Sequence, residues 1–147
     1  MYDALDERGA KNRVALKIML PGLAQSQSLL NMFRGEAIRV TSLNHPNIVD
    51  WKSFDCTPDG RYYFVMELLD GQSLDKLLEA EGTLDWKAAL KIMLQILAGL
   101  RAAHFVAEGQ SILHLDLSPR NILISPERRS SPLGVKLIDF GIGQYLG

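Results

Sequence analysis

The chain has 147 residues, 47 % of them hydrophobic, and 16 basic against 17 acidic side chains give it a formal net charge of −1. This length supports one hydrophobic core, and so small a net charge gives no electrostatic reason to expect nucleic acid or an acidic membrane surface as a partner. The single cysteine excludes an internal disulfide, no apolar run reaches the roughly 18 residues that span a bilayer, and we expect a cytoplasmic protein with no membrane segment in this chain.

The chain begins with a predicted β-hairpin. Residues 2–5 and 14–19 have strand character and flank the polar turn at residues 6–12. Lys17 interrupts the second strand, and from the pattern alone it is interpreted as an edge-strand lysine that opposes aggregation.

A helix and two further strands follow. Apolar side chains recur at helical spacing from residue 26 or 28 to residue 43, with Glu36 in the middle of this helix. His45 precedes a proline, which biases it away from helix. Strands are predicted around residues 51–54 and over residues 62–69, with a turn between them.

The second half of the chain is predicted to be mainly helical at first. Ser73 is placed to cap a short helix over residues 73–81, which Gly82 ends. The segment 84–106 is the longest periodic one, and its apolar stripe favours a core helix. The stripe is formed by Trp86, Ala89, Leu90, Met93, Leu94, Leu97, Leu100 and His104.

Two short polar turns next to apolar strand-like runs are the most informative feature. Residues 114–121 read His-Leu-Asp-Leu-Ser-Pro-Arg-Asn, and residues 139–141 read Asp-Phe-Gly. A hairpin of this kind can bring Asp116, Asn121 and Asp139 to one place, where hard oxygen ligands suit a divalent metal with a polyphosphate. The alternative is a pair of polar turns that only caps a core hairpin.

These motifs resemble those of the protein kinase superfamily. The pattern H-R-D-L-x-x-x-N followed by D-F-G is met everywhere except at Leu115, which replaces the arginine. Val-Ala-Leu-Lys at residues 14–17 is similar to the kinase V-A-I-K strand, and His-Pro-Asn-Ile-Val at residues 45–49 is similar to a recurrent kinase segment. The resemblance implies an α+β fold with two lobes and a Hanks-type serine/threonine protein kinase of the bacterial kind.

The resemblance also implies roles for the polar residues. Asp116 would orient the acceptor hydroxyl of a protein substrate, and Arg120 could supply a nearby positive charge. Asn121 and Asp139 would bind Mg²⁺, while Lys17 would bind the phosphates of ATP.

The lysine and the base of the nucleotide have further implied partners. Glu36 lies 19 positions after Lys17, the spacing that the resemblance requires for a lysine–glutamate ion pair. Residues 66–71 would form the hinge, with the gatekeeper Met66 beside the adenine and the backbone groups of Glu67 and Leu68 at its edge. The side chains expected to enclose the ring are those of Ala15 and Leu123.

Two departures from the family pattern affect substrate and control. Ser118 stands where kinases selective for serine or threonine usually carry lysine, yet the run Ser-Pro-Arg-Asn still favours a bacterial serine/threonine kinase over a tyrosine kinase. Leu115 removes the arginine that receives activation-loop phosphate, so control by that phosphorylation is not expected.

The resemblance predicts two parts and a shortened domain. Residues 1–69 resemble the small lobe without its glycine-rich loop, and residues 70–147 resemble the first part of the large lobe without the activation segment and later helices. On this interpretation the apolar stripe of the long helix is partly exposed, and the chain is marginally stable or self-associates.

Two other functions remain open at this point. A non-catalytic nucleotide-binding or scaffold module would share the same motifs. A kinase-like small-molecule phosphotransferase is the second alternative, although the Asp-Phe-Gly turn together with residues 45–49 favours the protein kinase branch.

Overall fold

Two antiparallel sheets carry the polar turns identified from the sequence. A computed structural model describes residues 2–5, 13–19, 27–106, 111–125 and 134–140. The first sheet has the strand order β1-β2-β4-β3 and the second β5-β6-β7. The strands are β1 (Tyr2–Leu5), β2 (Arg13–Ile18), β3 (Trp51–Cys56), β4 (Tyr62–Glu67), β5 (Gln72–Ser73), β6 (Ile122–Ser125) and β7 (Gly134–Leu137).

The predicted N-terminal hairpin is confirmed. Strands β1 and β2 pair antiparallel with Tyr2 opposite Leu16, while the predicted turn between them lies outside the described residues. Strand β2 also pairs with β4, which places Lys17 opposite Phe64. Lys17 is therefore on an interior strand of the sheet, and the edge-strand interpretation is wrong.

Helix α1 (Gln27–Thr41) covers the first sheet as its periodicity predicts. Leu30, Ala37 and Val40 are buried at helical spacing, and the helix contacts β3. The side chain of Glu36 lies outside the described residues, and its implied pairing with Lys17 stays a prediction.

Two helices accompany the second sheet. Helix α2 (Leu74–Glu81) has Ser73 at its N-cap position as predicted, although the serine side chain makes no capping hydrogen bond. Gly82 ends α2 with φ 75°, a left-handed conformation that glycine adopts without steric cost. Helix α3 (Trp86–His104) is capped by the Asp85 carboxylate, which accepts from two backbone N–H groups of the first turn.

The segment before β3 joins the first sheet to α3 and β7. The Asn47 side chain donates to the Val135 carbonyl at 2.9 Å and to the Gln95 amide oxygen at 3.1 Å. Its backbone carbonyl accepts from the Leu137 N–H at 2.9 Å. A Cβ added to Gly99 would lie 3.0 Å from that same carbonyl. Glycine on α3 therefore permits the close approach of this segment.

The two faces of α3 differ in burial. Its inner face, formed by Ile92, Ile96, Gly99 and Ala103, is buried. Most of the stripe predicted from the sequence lies on the outer face and is exposed, including Trp86, Leu90, Met93, Leu94 and Leu97. The expected partial exposure is thus confirmed, while a packed position for His104 is wrong because its side chain is exposed. None of the helices in the described ranges combines the length and apolar character that a membrane span requires.

Candidate active site

Each of the two polar turns contains a non-glycine residue in the left-handed region. Leu115 has φ 61° and Asp139 has φ 63°, and for residues with a Cβ this conformation is strained and uncommon. Such strain persists where the surrounding structure fixes it and occurs often at functional sites. The two turns that the motifs singled out are therefore also the two where the described backbone is strained in this way.

The first turn is held by hydrogen bonds that join its two ends. The Asp116 N–H donates to the His114 carbonyl at 2.8 Å. The Asn121 side-chain Nδ2 donates to the Asp116 backbone carbonyl at 2.9 Å and to Asp116 Oδ2 at 3.0 Å. A 3₁₀ turn (Pro119–Asn121) brings the asparagine back toward the aspartate. The predicted pairing of Asp116 and Asn121 at one place is present.

The hairpin of β6 and β7 brings the second turn next to the first. Ile122 pairs with Leu137, and the Ile138 N–H donates to the Asn121 carbonyl at 3.0 Å. Because Asn121 precedes β6 and Asp139 follows β7, both turns lie at the same end of the hairpin. A two-strand ladder thus places Asp139 beside the Asp116–Asn121 pair.

Lys17 reaches this end of the hairpin from the first sheet. Its Nζ lies 2.7 Å from Asp139 Oδ2, and both side chains keep less than a fifth of their surface exposed. The other carboxylate oxygen, Oδ1, is buried and has no hydrogen-bond partner among the described residues. A buried carboxylate oxygen without a partner is energetically unfavourable, so Asp139 Oδ1 is suited to bind a cation.

His114 packs under both turns. Its ring lies 4.5 Å from the ring of Phe140, centroid to centroid, and both residues are buried. Burial lowers the pKa of His114 because it disfavours the charged ring, while the Ile138 backbone and the Asp139 carboxylate act in the opposite direction. This contact holds the first turn, which begins at His114, against the second.

The residues expected around an adenine ring come from both sheets. Ala15 and Met66 are buried and directly opposite each other in the β2–β4 ladder, and Leu123 is half-buried on β6. Leu68 is half-buried against the core. The Glu67 N–H donates to the Asp50 carbonyl at 2.9 Å, so this N–H is already used within the protein.

Two charged residues near the predicted site, Arg120 and Lys136, have different surroundings. Arg120 is exposed on the 3₁₀ turn, where it is accessible from solvent beside Asp116. Lys136, which the sequence reasoning did not single out, pairs with Glu67. The signal was available, because Lys136 interrupts the apolar run of β7 as Lys17 interrupts β2.

The protein kinase domain family matches residues 3–147 of this chain. The chain belongs to the protein kinase family. This kinase-family chain is 38 % identical over 133 residues to the serine/threonine-protein kinase PrkC of Bacillus subtilis, covering 90 % of this chain and 19 % of that protein. It is 35 % identical over 131 residues to the serine/threonine-protein kinase pkn3 of Myxococcus xanthus, covering 89 % and 23 %.

Solved structures agree with the fold. The PknI kinase domain of Mycobacterium tuberculosis superimposes with a TM-score of 0.78 at 24 % identity, covering 96 % of this chain and 54 % of that one. The α+β architecture of this kinase-family chain is therefore that of a protein kinase. The chain spans about half the length of this solved domain and about a fifth of the two curated relatives.

Proposed function

We propose that this chain carries the catalytic centre of an ATP-dependent protein kinase that phosphorylates serine or threonine hydroxyls of proteins. The observation that carries the proposal is the 2.7 Å contact between Lys17 Nζ and Asp139 Oδ2. It joins a lysine of one sheet to a carboxylate of the other, beside the turn that pairs Asp116 with Asn121. This is the combination of groups that phosphoryl transfer from a metal-bound nucleotide requires.

The residues present fit a magnesium site completed by phosphate oxygens. Asp139 offers a buried Oδ1 that has no partner among the described residues, and the Asn121 amide offers its carbonyl oxygen because its Nδ2 is the donor to Asp116. Mg²⁺ is typically held by one or two protein ligands together with substrate phosphates and water.

The polar residues of the proposed site have separate roles. Lys17 would exchange its contact with Asp139 for the phosphates, which places its charge where negative charge accumulates. Asp116 would accept a hydrogen bond from the acceptor hydroxyl and hold its oxygen in line. Asn121 would keep Asp116 oriented through the Nδ2 bonds. When bound, ATP would supply the phosphoryl group and Mg²⁺ would neutralise negative charge on its oxygens.

The residues proposed for the adenine would form an apolar slot. Ala15 and Met66 come from neighbouring strands of the first sheet and Leu123 from the second, so the ring would lie between the two sheets. The Glu67 carbonyl and the Leu68 backbone would lie at the edge of the ring. Arg120, exposed near Asp116, would face the acceptor segment, whose negative charge it would favour.

The proposed function is tested in two steps, and both use the whole chain. Calorimetric titration with ATP, with and without Mg²⁺, is expected to show saturable binding that depends on Mg²⁺. Labelled ATP with peptide libraries whose only acceptor is serine, threonine or tyrosine is then expected to label the serine and threonine libraries. Binding without transfer would favour a non-catalytic nucleotide-binding module. Absence of binding by a folded chain, or transfer only to small-molecule alcohols, would overturn the proposal.

A further inference from the structure

A half-buried ion pair joins Glu67, at the edge of the proposed adenine site, to Lys136 on β7. Lys136 Nζ contacts Glu67 Oε1, and the two side chains expose 24 % and 27 % of their surface. The same oxygen accepts the Asp50 N–H at 2.8 Å. Lys136 Nζ also lies 3.4 Å from the Ile48 carbonyl. One lysine and one glutamate thereby connect three chain segments: residues 48–50, the end of β4 and the middle of β7.

The pair connects the two strands that would hold opposite ends of a nucleotide. Glu67 is the last residue of β4 and follows the buried Met66. Lys136 is paired across the β6–β7 ladder with Leu123, so both side chains lie on the same face of that sheet. Three residues after Lys136, the chain reaches Asp139.

We propose that Lys136 and Glu67 are positioning residues that fix the distance between the adenine edge and the metal-binding carboxylate. The inference rests on the proposed function, because it concerns how the two ends of that site are held together. A ligand that contacts both ends gains affinity when their separation is fixed before binding. A charged pair shielded from solvent and supported by two backbone groups is suited to that task, because removal of either partner leaves the other charge without compensation.

The pair differs from the Lys17–Asp139 pair in what each partner does. Lys17 and Asp139 both have proposed ligands of their own, so their mutual contact changes when a nucleotide binds. Within the described part of the chain, the Lys136 and Glu67 side chains make their polar contacts with each other and with the backbone of residues 48 and 50, and neither side chain has a proposed ligand. Their contact is therefore expected to persist in the free and the nucleotide-bound chain.

The test compares a ligand that uses one end of the site with a ligand that uses both. Adenosine would contact only the adenine end, whereas Mg²⁺-ATP would contact both ends. For Lys136→Met and Glu67→Gln we expect a loss of Mg²⁺-ATP affinity of about tenfold or more, because the two ends of the site are no longer held at a fixed separation before binding. For Lys136→Met, adenosine affinity is expected to stay within about twofold, because Lys136 is not among the residues proposed to contact the adenine.

Three further variants make the result specific. Lys136→Arg keeps the positive charge and should retain Mg²⁺-ATP affinity within about threefold, since arginine can still pair with Glu67, in a different geometry. The double variant Lys136→Met/Glu67→Gln should lose no more than either single variant, as expected for two residues that act through one contact. Lys52→Met removes the nearby ion pair with Asp50, whose side chains are about half exposed, and should leave both affinities unchanged within about twofold.

The outcomes separate this inference from the proposed function. If the wild-type chain is folded and does not bind Mg²⁺-ATP, both fall. If it binds, and the Lys136 and Glu67 variants weaken adenosine and Mg²⁺-ATP equally or only lower the melting temperature, the pair is purely structural and the inference is overturned. If both single variants fail to fold, Lys136→Arg and an apolar Lys136→Met/Glu67→Met pair give the same comparison. Wild-type selectivity for Mg²⁺-ATP over adenosine in the apolar pair would then overturn the inference.

Discussion

Two regions of the molecule depart from the usual pattern of burial. In one region polar side chains are buried, and in the other apolar side chains are exposed. At the end of the β6–β7 hairpin, His114 and Asp139 are polar and keep only 4 % and 9 % of their surface exposed. On the outer face of α3, Trp86, Leu94 and Leu97 are apolar and keep 68 %, 58 % and 53 % exposed. Scattered exposed apolar residues are ordinary, whereas buried polar groups and contiguous apolar patches are informative.

The burial pattern of each region indicates the kind of binding partner that would stabilise it. A buried carboxylate is unfavourable unless a cation or hydrogen-bond donor compensates it, and Lys17 satisfies only one of the two Asp139 oxygens. Among the described residues, none covers the apolar outer face of α3, and such a face favours association. The polar region is thus a candidate for a small charged ligand, and the apolar region for a protein surface.

The largest effect is expected at Asp139. Asp139→Ala should abolish Mg²⁺-dependent nucleotide binding, because it removes the buried carboxylate proposed to hold the metal. Asp116→Ala should spare binding, since Asp116 is proposed to act on the acceptor hydroxyl. Calorimetric titration of both variants with ATP and Mg²⁺ measures the difference. Equal loss in the two variants would contradict the division of roles between the two turns.

The two faces of α3 should respond very differently to truncation. Ile96 is 5 % exposed and its neighbour Leu97 is 53 % exposed. Ile96→Ala should lower the free energy of unfolding by about 2–5 kcal/mol because it leaves a cavity in the core. Leu97→Ala should change it by no more than about 0.5 kcal/mol. Urea titrations of both variants provide the comparison, and Ile96→Val, with an expected loss of about 0.5–1.5 kcal/mol, replaces Ile96→Ala if that variant does not fold.

The exposed face of α3 should also control self-association. Each leucine there keeps about half of its side chain in water, so its burial in a contact between chains is worth on the order of 1 kcal/mol. Light scattering of the wild-type chain is expected to show a mass that rises with concentration, and Leu94→Lys combined with Leu97→Glu should reduce that rise. A monomeric wild-type chain with a sharp, cooperative melt would contradict this expectation.

The fold could be predicted where an element depends on residues close together in the sequence. Strand β1 and the N-terminal hairpin follow from apolar runs around a polar turn, and the end of α2 follows from Gly82. For α3 the helix was predictable but its buried face was not. The helix is apolar on nearly all sides, so Ile92 and Ile96 cannot be told apart from Met93 and Leu97 by periodicity alone.

The candidate site was predictable where a motif specifies it. Asp116, Asn121 and Asp139 are recognised by spacing, and the hairpin between them brings the two turns together. Contacts between distant segments were not predictable. The Lys136–Glu67 pair joins residues 69 positions apart, and a single sequence contains no signal for such a pairing. A lysine within an apolar strand was nevertheless the common feature of Lys17 and Lys136.

The smallest predicted effect concerns the pH dependence of stability at His114. Burial lowers the pKa of this histidine below its ordinary value of 6.5 in the folded chain, so the unfolded chain binds a proton at a higher pH than the folded chain does. Stability therefore falls as the pH drops below about 6.5, by at most about 1.4 kcal/mol per pH unit for one proton.

The control variant is His114→Phe, which keeps a ring against Phe140 and cannot titrate. Urea midpoints of both chains at pH 7.5 and at pH 5.5 isolate the contribution of the histidine, because all other groups are shared. The wild-type chain should lose more stability than the variant on acidification. If it gained stability relative to the variant, the ring would be protonated in the folded chain, and the nearby Asp139 and Asp116 carboxylates would outweigh burial.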